Sequence, residues 1–308
     1  MTDLGSPGNL DVAKRYQAYL QNSNSEFSNK KCNKRVIITG FGLFTGVDYN
    51  ISGIAVEAMS QEKYWPSTID ESIYQDELKK RLKRSLLDSQ LGVLKTPDNG
   101  SRKSHRTLVI NGEAYDVCFL VLDVIWDLAG AIINEEAKRF KPDLIIMTGR
   151  GRETAIFEGG SLNRSHTLHG FECNGEALLK NTPIDQSVLI PESNSGVENH
   201  IPMNWDGSSL QKSTEDIFTS MGFEVLYADE GRRENTYICN NTAFIVAHGL
   251  KGVSLDLAGS ELNLEPASIE TAKHGFLHLP SKVENTVRDV FSLNMVLSRT
   301  ISECLSKD

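Results

Sequence analysis

Short apolar runs closed by glycine alternate along the chain with longer stretches whose apolar residues recur every three or four positions. That mixture of periods is the pattern of strands interleaved with helices. Arg35-Val36-Ile37-Ile38-Thr39-Gly40 predicts a buried strand feeding a loop, and Ser52 caps a helix that runs through Val56 and Met59. Residues 108–110 and 117–122 predict two more strands. Trp126, Gly130, Ile133, Ala137 and Phe140 then repeat at helical spacing and stop before Pro142, and Leu144-Ile145-Ile146-Met147 is apolar throughout, as a strand buried on both faces would be. Strand, helix and strand at this spacing form a parallel crossover, so the class is α/β. Further on, the pattern predicts a helix over 209–221 stopped by Gly222, a strand over 223–227, a helix from Asn240 to Gly249, and a strand over 253–257. A short apolar run over 275–280 and an amphipathic helix over 281–305, with Val283, Val287, Val290, Phe291, Leu297 and Ile301 on its buried side, close the chain.

Between these elements lie less regular stretches. Residues 1–32 are rich in Ser, Asn and Lys, with one short helix around 12–20, and read as a loosely attached extension. Residues 67–107 read as an insert, in which Leu78, Leu82 and Leu86 fall at helical spacing beside a solvated face of Lys79, Lys80, Arg81, Lys83 and Arg84, followed by a turn-rich loop over 96–106. Segments 163–207 and 261–273 are long connections. The organisation is a polar extension, 1–32, before one α/β domain, 33–308, with insertions near 67–107, 164–207 and 258–274; no internal repeat is present.

Composition narrows the chemistry. In 308 residues, 39% hydrophobic and 24% charged is ordinary for a globular chain, and a net charge of −9 supplies no basic field for nucleic acid, which is not expected as a partner. The five cysteines, Cys32, Cys118, Cys173, Cys239 and Cys304, form no CxxC pair and suggest neither a zinc site nor a disulfide framework. Residues 1–10 lack a basic segment followed by an apolar one, and no run approaches the ~18 apolar residues of a membrane span. No membrane association is expected. A reducing, cytoplasmic setting fits, and there a single reactive cysteine stays free.

Cys239 lies where a loop meets the apolar run 242–247. At the amino end of a helix, unpaired N–H groups and the helix dipole favour negative charge, so a thiol there is easier to ionise. The competing reading is a small buried hydrophobe. A nucleophilic cysteine needs a base, commonly histidine. Among the seven histidines, His248 ends the Cys239 helix as a C-terminal cap, His166, His169 and His200 lie in the irregular segment, and His105 lies in the insert. His278 differs by sitting in the apolar run 275–280, where a polar ring is costly. The residues alone leave the choice open.

Four ordered pieces carry a resemblance: residues 36–59 (VIITGFGLFTGVDYNISGIAVEAM), 120–149 (LVLDVIWDLAGAIINEEAKRFKPDLIIMTG), 235–240 (NTYICN) and 275–280 (GFLHLP). Together the chain resembles pyroglutamyl peptidase I, the cysteine peptidases that remove amino-terminal pyroglutamate. The resemblance implies a three-layer α/β/α sandwich with a mostly parallel central sheet and a Cys-His-Glu triad. It places the nucleophile on Cys239 and the histidine on His278. The family's glutamate, followed at a fixed spacing by Asn, falls on Glu158 before Asn163. It makes Phe41 and Phe44 walls of the lactam pocket, with Tyr237 and Ile238 beside the nucleophile. Arg150 stands where the family usually has glutamine, in a position to contact the acyl group. The family's oxyanion arginine has no clear counterpart, since Leu168 or His169 falls near its place and Arg164 is out of register. The implied chemistry needs no metal or cofactor, takes a peptide with a pyroglutamyl amino terminus, and comes with a homo-oligomer whose contacts the insertions block or replace. Two other readings fit these residues: a thiol amidohydrolase of another small N-acyl substrate, and a catalytically weak binding protein whose inserts form the working surface.

Overall fold

A computed structural model describes residues 7–22, 34–43, 48–73, 76–77, 79–80, 101–164, 172–173, 176–177, 196–229, 237–284 and 286–306. Its strands are β1 (Lys34–Phe41), β2 (Thr68–Ile69), β3 (Arg102–Ile110), β4 (Glu113–Leu122), β5 (Leu144–Arg150), β6 (Ala155–Glu158), β7 (Gly160–Leu162), β8 (Glu172–Cys173), β9 (Glu176–Ala177), β10 (His200–Pro202), β11 (Val225–Ala228), β12 (Leu255–Leu257), β13 (Leu262–Leu264) and β14 (Lys273–Leu279). Its α-helices are α1 (Pro7–Asn22), α2 (Ile51–Met59), α3 (Leu128–Phe140), α4 (Gly207–Ser220), α5 (Ile238–Leu250) and α6 (Val287–Leu305).

Eight strands make the central sheet in the order β11-β6-β14-β5-β1-β4-β3-β2. The middle four, β14, β5, β1 and β4, run parallel, while β6 and β3 turn antiparallel at either side. The crossover expected from residues 117–147 is present, with β4 leading through α3 to β5 and β1 between the two strands. Helices α1, α3 and α5 pack together on one face, and α2, α4 and α6 on the other. The fold is therefore the expected three-layer α/β/α sandwich. Ile145, Ile146 and Met147 of β5 are fully buried because helices cover both sides of a parallel sheet.

Glycines set how closely the helices approach. A Cβ on Gly40 would lie 2.4 Å from the Ser52 carbonyl oxygen, so β1 presents Gly40 to α2. By alternation, Thr39 and Phe41 point to the opposite face, toward α5. The cap of α2 is Asn50, not Ser52: the Asn50 side chain accepts from the Ser52 N–H and hydroxyl and donates to the Gly42 carbonyl at 3.0 Å. Asn outranks a residue already inside the first turn because its side chain reaches both the helix and the incoming loop.

Other elements differ from their sequence patterns for local reasons. β3 begins at Arg102, inside the stretch read as loop, because Asn111 and Gly112 adopt positive φ (51° and 86°) and close a tight hairpin onto β4. β12 leaves the main sheet and pairs with β13, whereas residues 273–279 become the central strand β14. Thr286 caps α6, so that helix starts at Val287. Most of the helix expected on Leu78, Leu82 and Leu86 lies outside the described residues. The amino-terminal helix is not loosely attached: Val12 and Tyr16 are buried, and the Tyr16 and Tyr19 hydroxyls donate to Glu135 and Glu136 of α3 at 3.3 and 2.8 Å.

Tyr16→Ala is accordingly expected to destabilise the protein by about 3–5 kcal/mol, the range for emptying a buried aromatic site. Urea unfolding checks this, and an unchanged midpoint would mean that α1 carries no packing energy.

Candidate active site

Helix α5 begins at Ile238, two residues earlier than its apolar pattern suggests, so Cys239 is its second residue. Tyr237 precedes it in extended conformation (φ −92°, ψ −166°) and supplies no side-chain cap. The first-turn N–H groups of a helix have no intrahelical acceptor, which leaves them available to a developing anion beside Cys239. Two asparagines hold this turn. Asn240 accepts from the Leu162 N–H at 2.8 Å and donates to the Leu162 and Arg164 carbonyls at 2.7 and 3.1 Å, acting as a strand partner for β7. Asn241 donates to the Asp127 carboxylate and accepts from the Asp127 N–H, both at 3.0 Å.

Under this turn lies Gly149 of β5. A Cβ there would stand 2.9 Å from the Cys239 sulfur and 2.9 Å from Cζ of Phe276, so only glycine admits the thiol at this depth. Register places the other groups around it. Thr39, Met147 and Phe276 are paired across β1, β5 and β14, and two residues further each strand presents Phe41, Gly149 and His278 to the same face. Antiparallel β6 sets Glu158 opposite Phe276 and Ile156 opposite His278. Glu158 Oε1 lies 3.4 Å from His278 Nε2, a long contact between two buried side chains. The His278 ring also rests against Phe276, with centroids 4.8 Å apart. Behind the carboxylate, the Trp205 indole N–H donates to the Glu158 carbonyl at 2.9 Å, and its ring covers Gly275.

Cys239 is 9% exposed, and burial first, then the negative charge of Glu158, push its thiol up to about 12, against a smaller downward pull from its own N–H. This corrects the expectation that a helix start eases ionisation. Desolvation and a nearby carboxylate outweigh the pull of the Cys239 N–H here, and the thiol is protonated at neutral pH.

The remaining sequence candidates are distributed differently. Phe41 is buried in the row just described. Phe44 lies outside the described residues, as do Leu168, His166 and His169. Tyr237 is half-buried and Ile238 buried, both at the helix entry. Arg150 alternates to the sheet face opposite Gly149, where its guanidinium donates to the Tyr49 and Ser281 carbonyls at 3.4 and 3.3 Å and lies 5.8 Å from the Tyr49 ring. Arg164 offers its carbonyl to Asn240 while its side chain is exposed. His248 is no surface cap: it is fully buried, with Nδ1 donating to the Phe244 carbonyl at 2.9 Å and Nε2 accepting from the Glu198 N–H at 3.0 Å. Those two bonds select the neutral Nδ1–H tautomer, and burial lowers its pKa. His105 stands on β3 beside Phe140, and His200 on β10.

Two groups carried no signal in the sequence. His274, four residues before His278 on the same strand face, is buried and depressed to about 4 by desolvation. Asp127 falls inside the helical repeat begun at Trp126, yet it breaks that repeat with φ 65° and ψ −39°, where the Leu128 N–H closes onto the Trp126 carbonyl at 2.7 Å. Such a three-residue turn is strained, at about 1–3 kcal/mol for a non-glycine residue. Its carboxylate accepts from Asn241 and, at 2.7 Å, from the Ala258 N–H, while burial raises its pKa.

Among the described residues, no three His, Cys, Asp or Glu side chains converge as metal ligands, and no helix is long and apolar enough to cross a membrane. No protein-family model and no curated protein matches the sequence. Solved structures do match. Two mutants of pyrrolidone carboxyl peptidase from the hyperthermophile Pyrococcus furiosus superpose with TM-scores of 0.52 and 0.51 at 14% identity, each covering 89% of this chain and 99% of that one. The chain has the pyrrolidone carboxyl peptidase fold. Pyroglutamyl peptidase I from Bacillus amyloliquefaciens is also similar, at a TM-score of 0.49 and 13% identity over 89% of this chain and 98% of that one. Within the peptidase fold, the Cys239, His278 and Glu158 side chains of this chain share one sheet face at the carboxyl ends of the central strands.

Two substitutions probe this geometry. Gly149→Ala is expected to cost about 1–3 kcal/mol of stability through overpacking, and to slow alkylation of Cys239 by iodoacetamide; parent-like stability and reactivity would mean the approach is not close. Glu158→Gln removes the charge that opposes the thiolate, so the Cys239 titration moves to lower pH. Thiolate ultraviolet absorbance across a pH series reads that shift, and a titration that stays put or rises contradicts the assigned cause.

Proposed function

We propose that this chain is a cysteine exopeptidase that removes amino-terminal pyroglutamate from peptides, with Cys239 as nucleophile, His278 as general base and acid, and Glu158 orienting the imidazole. The observation that carries the reading is the single row in which Cys239 sits over Gly149, His278 stands beside that glycine, and Glu158 lies 3.4 Å from the histidine. A protonated thiol requires that attack be coupled to proton removal rather than start from a resident thiolate. The thiol proton passes to His278 as sulfur bonds to the acyl carbon. The carboxylate that disfavours a lone thiolate favours the imidazolium formed in that step, so its net effect is to bind the proton at His278.

The oxyanion then develops next to the first turn of α5, where the Cys239 N–H is free of intrahelical partners. Collapse of the tetrahedral species expels the amine, which takes its proton from His278. Water, deprotonated by His278, attacks the thioester, releases pyroglutamate and returns the proton to Cys239.

The flat, uncharged lactam matches a site whose near wall is Phe41. Arg150 is engaged with two carbonyls on the opposite face, so the pocket reading needs no charged partner from it. Hydrolysis of a pyroglutamyl amide reporter tests the proposal: the parent chain turns it over, and Cys239→Ala lowers kcat/KM by at least about 10³-fold, as loss of a nucleophile does. A parent chain without turnover, or a Cys239→Ala variant that keeps it, refutes the reading.

A further inference from the structure

We propose that Asp127 is a positioning residue for Cys239, acting through Asn241 to fix the first turn of α5. The inference rests on the reading of Cys239 as nucleophile, and its evidence is independent of that reading. Asp127 occupies the cap position of α3 but makes no side-chain cap bond there. An aspartate at a helix start normally spends its carboxylate on that helix. Here both oxygens go elsewhere, Oδ1 to the Asn241 amide at 3.0 Å and Oδ2 to the Ala258 N–H at 2.7 Å.

The strained turn at φ 65° also aims the Asp127 N–H at the Asn241 carbonyl oxygen, 3.0 Å away. The Asn241 amide is thereby held at both of its polar ends and cannot rotate. Its neighbour Asn240 is held on the β7 side by three contacts. The residue that follows the nucleophile and the next are thus clamped to different parts of the fold. Ala258 belongs to a short 3₁₀ turn, Ala258–Ser260, against which α1 packs, so the clamp extends to the amino-terminal helix. Glu158 is the carboxylate whose charge bears on the thiol, so Asp127 acts by geometry.

The hydrogen-bond pattern supplies its own control. Asp127→Asn places an amide N–H₂ against either the Asn241 amide or the Ala258 N–H, and one bond is lost whichever way it turns. Asn241→Asp opposes two carboxylates. The reciprocal exchange, D127N with N241D, restores every contact: the new amide oxygen accepts from Ala258, its nitrogen donates to the new carboxylate, and that carboxylate still accepts from the residue 127 N–H.

The full-length parent, both single variants and the exchange are compared by iodoacetamide alkylation of Cys239 per folded molecule, and by kcat and KM on a pyroglutamyl amide. Each single variant is expected to lower the alkylation rate and kcat by about 10-fold or more with KM within about twofold, the pattern of a displaced reacting group, and the exchange to recover both to within about threefold. Single variants that react like the parent overturn the inference, as does an exchange that folds yet stays as slow as they are. If neither single variant folds, the exchange alone decides, by reacting at the parent rate or failing to. Iodoacetamide needs no substrate, so a parent chain inactive on pyroglutamyl amides would refute the peptidase reading and leave this comparison intact.

Discussion

The contact on which the rest of the site depends is the approach of the Cys239 sulfur to the backbone of β5 at Gly149. A helix start pressed this closely against a strand requires a residue without Cβ, because a methyl group would stand 2.9 Å from the sulfur. It also requires that the neighbouring strands offer their side chains at the same level. Parallel pairing of β1, β5 and β14 does so, because partners in register point to one face. Phe41 and His278 then flank Cys239 from the two strands beside β5, and reversal of β6 brings Glu158 up from the far edge of His278.

That depth has an electrostatic consequence. Burial and Glu158 together hold the thiol in its neutral form, which protects it from adventitious alkylation and oxidation, since both need thiolate. In the proposed reaction, the carboxylate that opposes the thiolate also favours the imidazolium formed when the proton moves. On that proposal the site is organised around the transferred state rather than the resting one, the arrangement expected where charge develops during reaction.

Rigidity comes from polar side chains in the first turn of α5 rather than from apolar packing alone. Asn240 substitutes for a strand partner along β7, and Asn241 is locked by a strained aspartate. A strained φ persists only where its surroundings over-determine it, and two bonds to Asn241 with one from Ala258 provide that constraint.

By itself, the amino-acid sequence determined the fold class and most of the central strands, because runs such as 36–39 and 144–147 carry a pattern that only burial on both faces explains. It also marked Cys239, His278 and Glu158, through ordered motifs rather than through any one of them. The hairpin that lengthens β3 has a local turn signal in Asn111-Gly112, which the reading of residues 96–106 as loop passed over. Tertiary structure alone decided the rest. Whether a helix start lowers a thiol's pKa depends on what is buried around it, and here Glu158 arrives from a strand far earlier in the chain. Arg150 faces away from Cys239 because one step along a strand reverses the side chain, and only its register with β14 shows which face that is. Asp127 looked like part of a helical repeat. Its role follows from partners at 241 and 258, and no local pattern encodes contacts made at that separation.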